Sequence, residues 1–520
     1  MLDYLIIGAG PAGLQLGYFF EKLGLDYLII EAGEKAGTSF QQFPRHRTLI
    51  SINKVYTGYE NKDVNLRWDW NSLLNHSDEM LFKNYSKKYF PKADDLVKYL
   101  CDFAENFNLK VKYNSKVHKI SKNNYFTVCD NEGNIYSSKC LIVATGVAKP
   151  YIPIIPGIEL TDNYTTVTVK PEEFINQKVL IIGKGNSAFE TADNLVETAS
   201  VIHLVSPTPI QMAWKTHYVG HLRAVNNNIL DTYQLKSQNA ILDASIEQIE
   251  KRDDKFVVSF KYSHANDEQE EIIYDRVITC TGFRFDDSIF DENCRPELTI
   301  HNRFPMQTSE WESVNIKDLY FAGTLMQSRD FKKSTNAFIH GFRYSVCCLG
   351  RILIRKYHGQ ELPSKHIALT VESITDMVIK RINQSSALWQ QFGYICDLII
   401  ISDNNNEAVY YEEVPVDYIH DSDLGRHNHY YTITLEYGEN HDLEDPFNVN
   451  RIDRNDVSQA HRSKFLHPVI RCFNSSELIS EHHIIEDLAA EWFEDVHILP
   501  LQQYFQMQLA PVLNQTLLNC

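Results

Sequence analysis

Gly8, Gly10 and Gly13 stand at the spacing G-x-G-x-x-G directly after the apolar run DYLIIG, and Glu31 closes the next apolar run 23 residues beyond Gly8. Such a set binds the pyrophosphate of a dinucleotide. The first glycine permits a tight turn, the second lets backbone approach the phosphates, the third lets helix pack on strand, and the acid accepts from a ribose hydroxyl. Pro11 and Ala12 fill the variable positions and open the helix. A second set lies in QKVLIIGKGNSAFETADNLVETASVIHLVS, with Gly183, Gly185 and Ala188 at the three positions and Asn186 and Ser187 between them. The second strand of that unit ends at Ser206 with no acid, so nothing there repels a ribose 2′-phosphate, and Ser206 and Thr208 can donate to one. NADPH is favoured over NADH.

These residues need strand–helix junctions to hold them. DYLIIG reads as a strand, LQLGYFFEKLG as a helix closed by Gly24, and LDYLIIE as the next strand. Between the two units, residues 95–119 read as helix then strand, YFTVCDNEGNIYSSK as a hairpin and CLIVATG as a strand, and residues 241–282 repeat much of that plan. Each unit ends in a threonine-glycine turn beside its nucleotide, Thr145-Gly146 and Thr281-Gly282. A third such turn, Gly323-Thr324, precedes a helix start near Phe338 that faces a cofactor. The reading is an α/β chain of two Rossmann-like dinucleotide-binding domains, the first formed by residues 1–160 and 283–358 and the second by 161–282, with an acidic α+β C-terminal module over 359–520.

Composition excludes several classes. The 520 residues are 43% hydrophobic and 23% charged, and no apolar run reaches the roughly 18 residues of a membrane span. Fifty basic against 68 acidic residues, net -18 with no long basic block, argue against nucleic acid as a partner. Ten scattered cysteines include no C-x-x-C pair, which points to a reducing compartment and to neither a zinc ribbon nor a thioredoxin-type redox pair. The opening residues Met1-Leu2-Asp3-Tyr4 enter a strand at once, and the last residues form no retrieval tail, so the expected location is cytoplasmic. Residues 401–460 hold 14 acids and three bases. The strands YYTITLEY and FLHPVIRCF make this a folded module rather than an acidic tail, and its acids read as a solvated face rather than a metal site. His427 and His429 are left unassigned, no metal is assigned, and homo-oligomerisation stays open.

The strings PRHRTLISINKVYTG (44–58), LRWDWNSLL (66–74), GNSAFETA (185–192), THYVGHLRAVNNNILDTYQLKS (216–237), FIHGFRY (338–344), FLHPVIRCF and HILPL carry a resemblance. The chain resembles two-dinucleotide flavoproteins of the flavin-containing monooxygenase type and, more closely, the FAD-dependent oxidoreductase domain-containing protein 2 family, over nearly its whole length. That family's setting is the endoplasmic reticulum, from which the absent leader and retrieval tail depart. The resemblance implies FAD on Gly8, Gly10, Gly13 and Glu31. It implies a glycine-rich turn at Gly37 to Phe40, including Ser39, and places Asn53 and Asp69 beside the flavin with Thr145 and Thr324 near it. Asn53 would be the catalytic group, hydrogen bonding to a flavin C4a-peroxide.

The implied activity is NADPH-dependent FAD monooxygenation of a small molecule by molecular oxygen. Two alternatives stand beside it: an NADPH-dependent reductase of another acceptor, for which only the vicinal Cys347-Cys348 pair argues, and a regulatory flavoprotein binding a protein partner through its acidic module. Flavin monooxygenases carry F-x-G-x-x-x-H-x-x-x-aromatic before the second unit, and residues 156–174 hold no histidine. Trp214, His217, Tyr218, Arg223, Asn226, Asn227, Asn228 and Tyr233 either line the substrate or nicotinamide pocket or form a plain insert.

Overall fold

The computed structural model describes residues 1–235, 239–402 and 407–518. The first unit comprises β1 (Leu2–Ile7), α1 (Pro11–Lys22), β2 (Tyr27–Ile30), α2 (Ala93–Asn106), β3 (Val111–Lys112), β4 (Val117–Lys122), β5 (Phe126–Asp130) and β6 (Ile135–Val143). β1, parallel to β2 and β6, is a near-continuous apolar run because both its faces are buried, Tyr4 and Ile6 in one core and Leu5 and Ile7 in another. In α2, Leu96, Tyr99, Leu100 and Phe103 bury one face at helical spacing, and Asp94 and Asp95 stand in the first turn, where the helix dipole favours them. The nine residues of β6 divide their work. The first half forms the expected hairpin with β5, and the second runs parallel to β1.

The second unit comprises β7 (Lys178–Ile182), α3 (Asn186–Leu195), β8 (Val201–Ser206), β9 (Asn239–Asp243), the antiparallel trio β10 (Ser245–Arg252), β11 (Lys255–Tyr262) and β12 (Glu268–Tyr274), and β13 (Arg276–Thr279). The chain then returns to the first sheet as β14 (Leu319–Phe321), parallel to β6, and runs into α4 (Ile339–His358). The sheet orders are β3-β2-β1-β6-β5-β4, with β14 also on β6, and β9-β8-β7-β13 extended by the pair Asp162–Asn163. Each order reverses beside its first strand, at β1/β6 and β7/β13, and open α/β sheets bind ligands at such switch points. The two crossings between units pair with each other, Phe283 opposite Pro150 and Arg284 opposite Lys149.

The C-terminal part holds β15 (Ser364–Ala368), α5 (Val371–Gln384), β16 (Ile395–Ile401), β17 (Glu407–Pro415), β18 (Tyr430–Glu436), β19 (His467–Asn474), β20 (Glu477–His483) and α6 (Asp495–Leu518). They form one antiparallel sheet, β15-β17-β16-β18-β19-β20. Alternation along β16 gives it two covered faces. Cys396, Leu398 and Ile400 join the core of α1, α2 and α4, whereas Ile399 and Ile401 pack with Ile374, Val378 and Phe505 beneath α5 and α6. The expected separate module therefore shares a core with the first unit. Many of its acids are ion-paired: Asp397 with Arg381, Asp417 with Arg329, Asp423 with Arg355 and Glu436 with Arg471. No described helix is long and apolar enough to cross a membrane, and no described group of His, Cys, Asp and Glu could hold a metal.

Candidate functional site

The glycines of both turns divide as their chemistry requires. A Cβ on Gly8 would lie 2.7 Å from the Ala144 carbonyl oxygen, and one on Gly13 only 1.9 Å from that of Gly8. Gly183, at φ +126°, would collide with the Cys280 carbonyl in the same way. A Cβ on Gly10 or Gly185 would meet nothing within 4 Å. These two middle glycines precede the unbonded N–H groups of α1 and α3, so each unit presents an open backbone cradle at a helix N-terminus, the shape a pyrophosphate fills. Pro11 and Ala12 occupy the first turn of α1, buried beneath that cradle. Ala188 is fully buried at the third position of the second unit.

Glu31, the residue after β2, is buried. Its carboxylate accepts from the Ala9 N–H at 2.7 Å and the Gly33 N–H at 2.9 Å, fixing it against the turn. Gly37, at φ +73°, donates to the Ala9 carbonyl and starts the five-residue helix Thr38–Gln42. Ser39 is exposed there, and Phe40 packs toward the core of α1 and α2. Thr145 and Gly146 follow β6 after Ala144, Gly146 at φ +64°. Gly323, at φ +77°, approaches Ala12 so closely that a Cβ would lie 2.6 Å away, and Thr324 donates to the Ala337 carbonyl beside Phe338 at 3.2 Å. The three turns thus converge on the first cradle.

Several of the expected ligands have partners within the protein. Asn53 is buried, and its Nδ2 donates to the Ser86 carbonyl at 2.8 Å and the Lys88 carbonyl at 3.4 Å, so the donor expected to face the flavin is engaged with backbone. Asp69 accepts from the Asn71 and Ser72 N–H groups and the Ser72 hydroxyl, capping its own turn. The Asn186 side chain grips the segment after the second nucleotide strand, donating to the Gly220 and His221 carbonyls and accepting from Arg223 and Asn226. The Ser206 hydroxyl turns to the Thr208 carbonyl at 2.9 Å. Counted from Gly157, the fingerprint histidine position is Thr161, whose hydroxyl lies 2.8 Å from that of Thr279.

The segment after Ser206 joins all three parts of the chain. Arg223 donates to the Ile50 carbonyl at 2.9 Å and lies over Trp70. Tyr218 packs on Phe338, His217 stacks on Tyr437 at 4.2 Å, and Trp214 touches Phe447. The side chain of Tyr233 lies outside the described residues. Arg343, fully buried in α4, donates to the Leu66, Asp69 and Ser72 carbonyls and so holds the Trp70 loop against the start of that helix.

Tyr164 and Glu190 escaped the sequence reading. The cleft at the β7/β13 switch point is lined by Tyr164, Thr165, Ser187, Cys280, Thr281 and Gly282, among others. Tyr164 donates to Glu190 and accepts from the Arg45 N–H at 3.1 Å. Burial outweighs both the hydrogen bond from Tyr164 and the charge of Arg45, and pushes the Glu190 carboxyl up to about 7. A carboxylate in the second turn of α3, among Ala188, Phe189, Ala192 and Leu195, is the signal that could have found it.

A family model described as pyridine nucleotide-disulphide oxidoreductase matches residues 5–323. The mouse FAD-dependent oxidoreductase domain-containing protein 2 is 37% identical over 558 aligned residues, covering 97% of this chain and 83% of that protein. Its zebrafish counterpart is 35% identical over 97% of this chain and 83% of its own. Among solved structures, the Bacillus cereus bacillithiol disulfide reductase superposes with a TM-score of 0.52 at 19% identity, over 68% of this chain and 99% of its own. A flavin-containing monooxygenase from Stenotrophomonas maltophilia gives 0.50 at 18% identity, over 69% and 98%. These last two are likenesses of fold. With both cradles in place and the curated relatives aligned through the C-terminal sheet, the chain belongs to the FAD-dependent oxidoreductase domain-containing protein 2 family, within the pyridine nucleotide-disulphide oxidoreductases, and is a flavin-dependent oxidoreductase.

Proposed function

We propose that the chain is an NADPH-dependent FAD monooxygenase that oxidises a small molecule with molecular oxygen. FAD fits the first cradle, with Gly10 open to its pyrophosphate and Glu31 at its adenosine ribose, and NADPH fits the second. Bound FAD supplies the redox chemistry, accepting hydride and activating oxygen, for which no side chain is equipped. The chain's own residues bind, orient and exclude water: Trp70, Phe338 and Tyr218 cover the region between Ile50 and the start of α4.

The state of the thiols carries this reading. The fold is shared by a disulfide reductase and a monooxygenase, so it does not choose between them. Cys347 and Cys348 are buried in α4, Cys348 donates to the Glu413 carbonyl at 3.0 Å, and burial pushes the Cys347 thiol up to about 12. Burial likewise pushes Cys280, at the second cleft, up to about 12. Neither site offers a thiolate near neutral pH, and thiol–disulfide exchange needs one.

Thr161 at the fingerprint position and the engaged amide of Asn53 favour a second reading, NADPH-dependent reduction of a non-thiol acceptor. Labelled oxygen gas separates the two. A monooxygenase transfers the label into a thioether or amine probe while oxidising NADPH. Unlabelled probe together with rapid anaerobic reduction of ferricyanide would favour the reductase.

A further inference from the structure

Resting on the reading of the second unit as an NADPH site, we infer that Lys184 is its 2′-phosphate receptor and that Asp243 holds the receptor's place until the coenzyme binds. Lys184 stands in the glycine turn itself, and its side chain is only 4% exposed. An ammonium has three donors, and three acceptors meet this one: the Ser206 carbonyl at 3.3 Å, the Thr208 carbonyl at 3.2 Å and the Asp243 carboxylate. Ser206 ends β8, and Asp243 ends β9 directly opposite it in register. The end of the second strand is where this fold reads the ribose.

Two of the acceptors are fixed backbone, whereas Asp243 is a side chain 39% exposed at the rim. A phosphate arriving at the strand end has one partner to displace, and it is that carboxylate. Once displaced, the carboxylate remains beside the phosphate as a like charge. An unphosphorylated ribose leaves the pair intact. The Ser206 hydroxyl, turned inward to Thr208, takes no part. Coenzyme selectivity therefore depends on the competition of two anions for one buried ammonium.

Calorimetric titration of the flavin-loaded protein with 2′,5′-ADP and with 5′-AMP isolates the 2′-phosphate. Asp243→Asn is expected to tighten 2′,5′-ADP about tenfold, the order of a hydrogen bond to a charged group, with 5′-AMP unchanged. Lys184→Gln is expected to weaken 2′,5′-ADP by a similar factor. Lys184→Arg keeps the charge and the preference, which separates loss of charge from loss of fold. An unaltered ratio of the two affinities in Asp243→Asn would overturn the inference, since the pair would then be structural only. If the unaltered protein bound neither nucleotide, the reading of the second unit would fall instead.

Discussion

Trp70 and His340 stack with ring centroids 4.1 Å apart and planes 17° from parallel, joining the loop ahead of α2 to the first turn of α4. Arg223 lies over Trp70, and Phe338 stacks on His340. His340 is fully buried, and neither ring nitrogen meets a protein partner among the described residues. Burial, with Arg343 and Arg223 nearby, holds the imidazole neutral by lowering its pKa well below the ordinary range. Leaving a buried polar group unpaired costs about 1–3 kcal/mol, a cost a bound cofactor or substrate can relieve.

His340→Phe keeps the stack and removes both nitrogens. Denaturant unfolding of the apoprotein is expected to show stability unchanged or raised by about 1 kcal/mol. The same variant is expected to release flavin more readily and to shift the flavin absorption spectrum. Unchanged retention and spectrum would mean that the imidazole faces no ligand.

Glu190 gives the fold a pH dependence whose sign is fixed by burial. Its folded pKa of about 7 lies above the ordinary carboxyl range. The neutral form is the one the fold prefers, so the contribution to stability is complete below about pH 4.5 and is lost as pH rises through 7. Glu190→Gln is expected to remove a loss of about 2–3 kcal/mol between pH 5 and pH 8, measured as the difference between the two proteins' unfolding free energies. Parallel pH profiles for variant and unaltered protein would refute it.

What could be read in advance was local. Gly8, Gly10, Gly13 and Glu31 declare themselves because each role is set within one strand–turn–helix–strand unit, and the hairpin of β5 and β6 follows from its own alternation. The pairs Tyr164–Glu190 and Lys184–Asp243 are 26 and 59 residues apart and exist only once the sheet brings β7, β8, β9 and β13 side by side. Trp70 and His340 are further apart still, in different elements. The acids of residues 401–460 were visible as composition, but several of their cations, Arg329 on Asp417, Arg355 on Asp423 and Arg381 near Glu412, lie outside that run. Asn53 and Asp69 were matched by motif, and a motif does not say which way an amide or a carboxylate turns.

Glu31 tests which flavin is held. Flavin released by heat is expected to be FAD, since a carboxylate just after β2 can also accept from the hydroxyls of an adenosine ribose, which FMN lacks. Glu31→Ala also removes the acceptor of Ala9 and Gly33, which loosens the turn itself. Flavin occupancy is therefore expected to fall by about tenfold or more, while turnover per bound flavin changes little. FMN in the heat extract would sink the assignment.

Asn53 is either a backbone clamp or a donor at the flavin, and the two roles respond differently to substitution. Its Nδ2 holds the Ser86 and Lys88 carbonyls, so Asn53→Ala leaves buried acceptors unpaired and is expected to cost about 1–3 kcal/mol in unfolding free energy. Flavin reduction by NADPH, followed anaerobically by rapid mixing, is expected to keep its rate, because hydride transfer does not use that amide. The informative quantity is coupling, the fraction of NADPH oxidised that appears as oxygenated product rather than hydrogen peroxide. With the amide engaged by backbone, coupling in the variant is expected to track the loss of stability and to recover at lower temperature. The opposite pattern, unchanged stability with coupling lost at every temperature, would return Asn53 to the role of a donor facing the flavin. Removing one such preorganised donor costs about 2.7–4 kcal/mol in transition-state stabilisation, a loss that cooling would not restore.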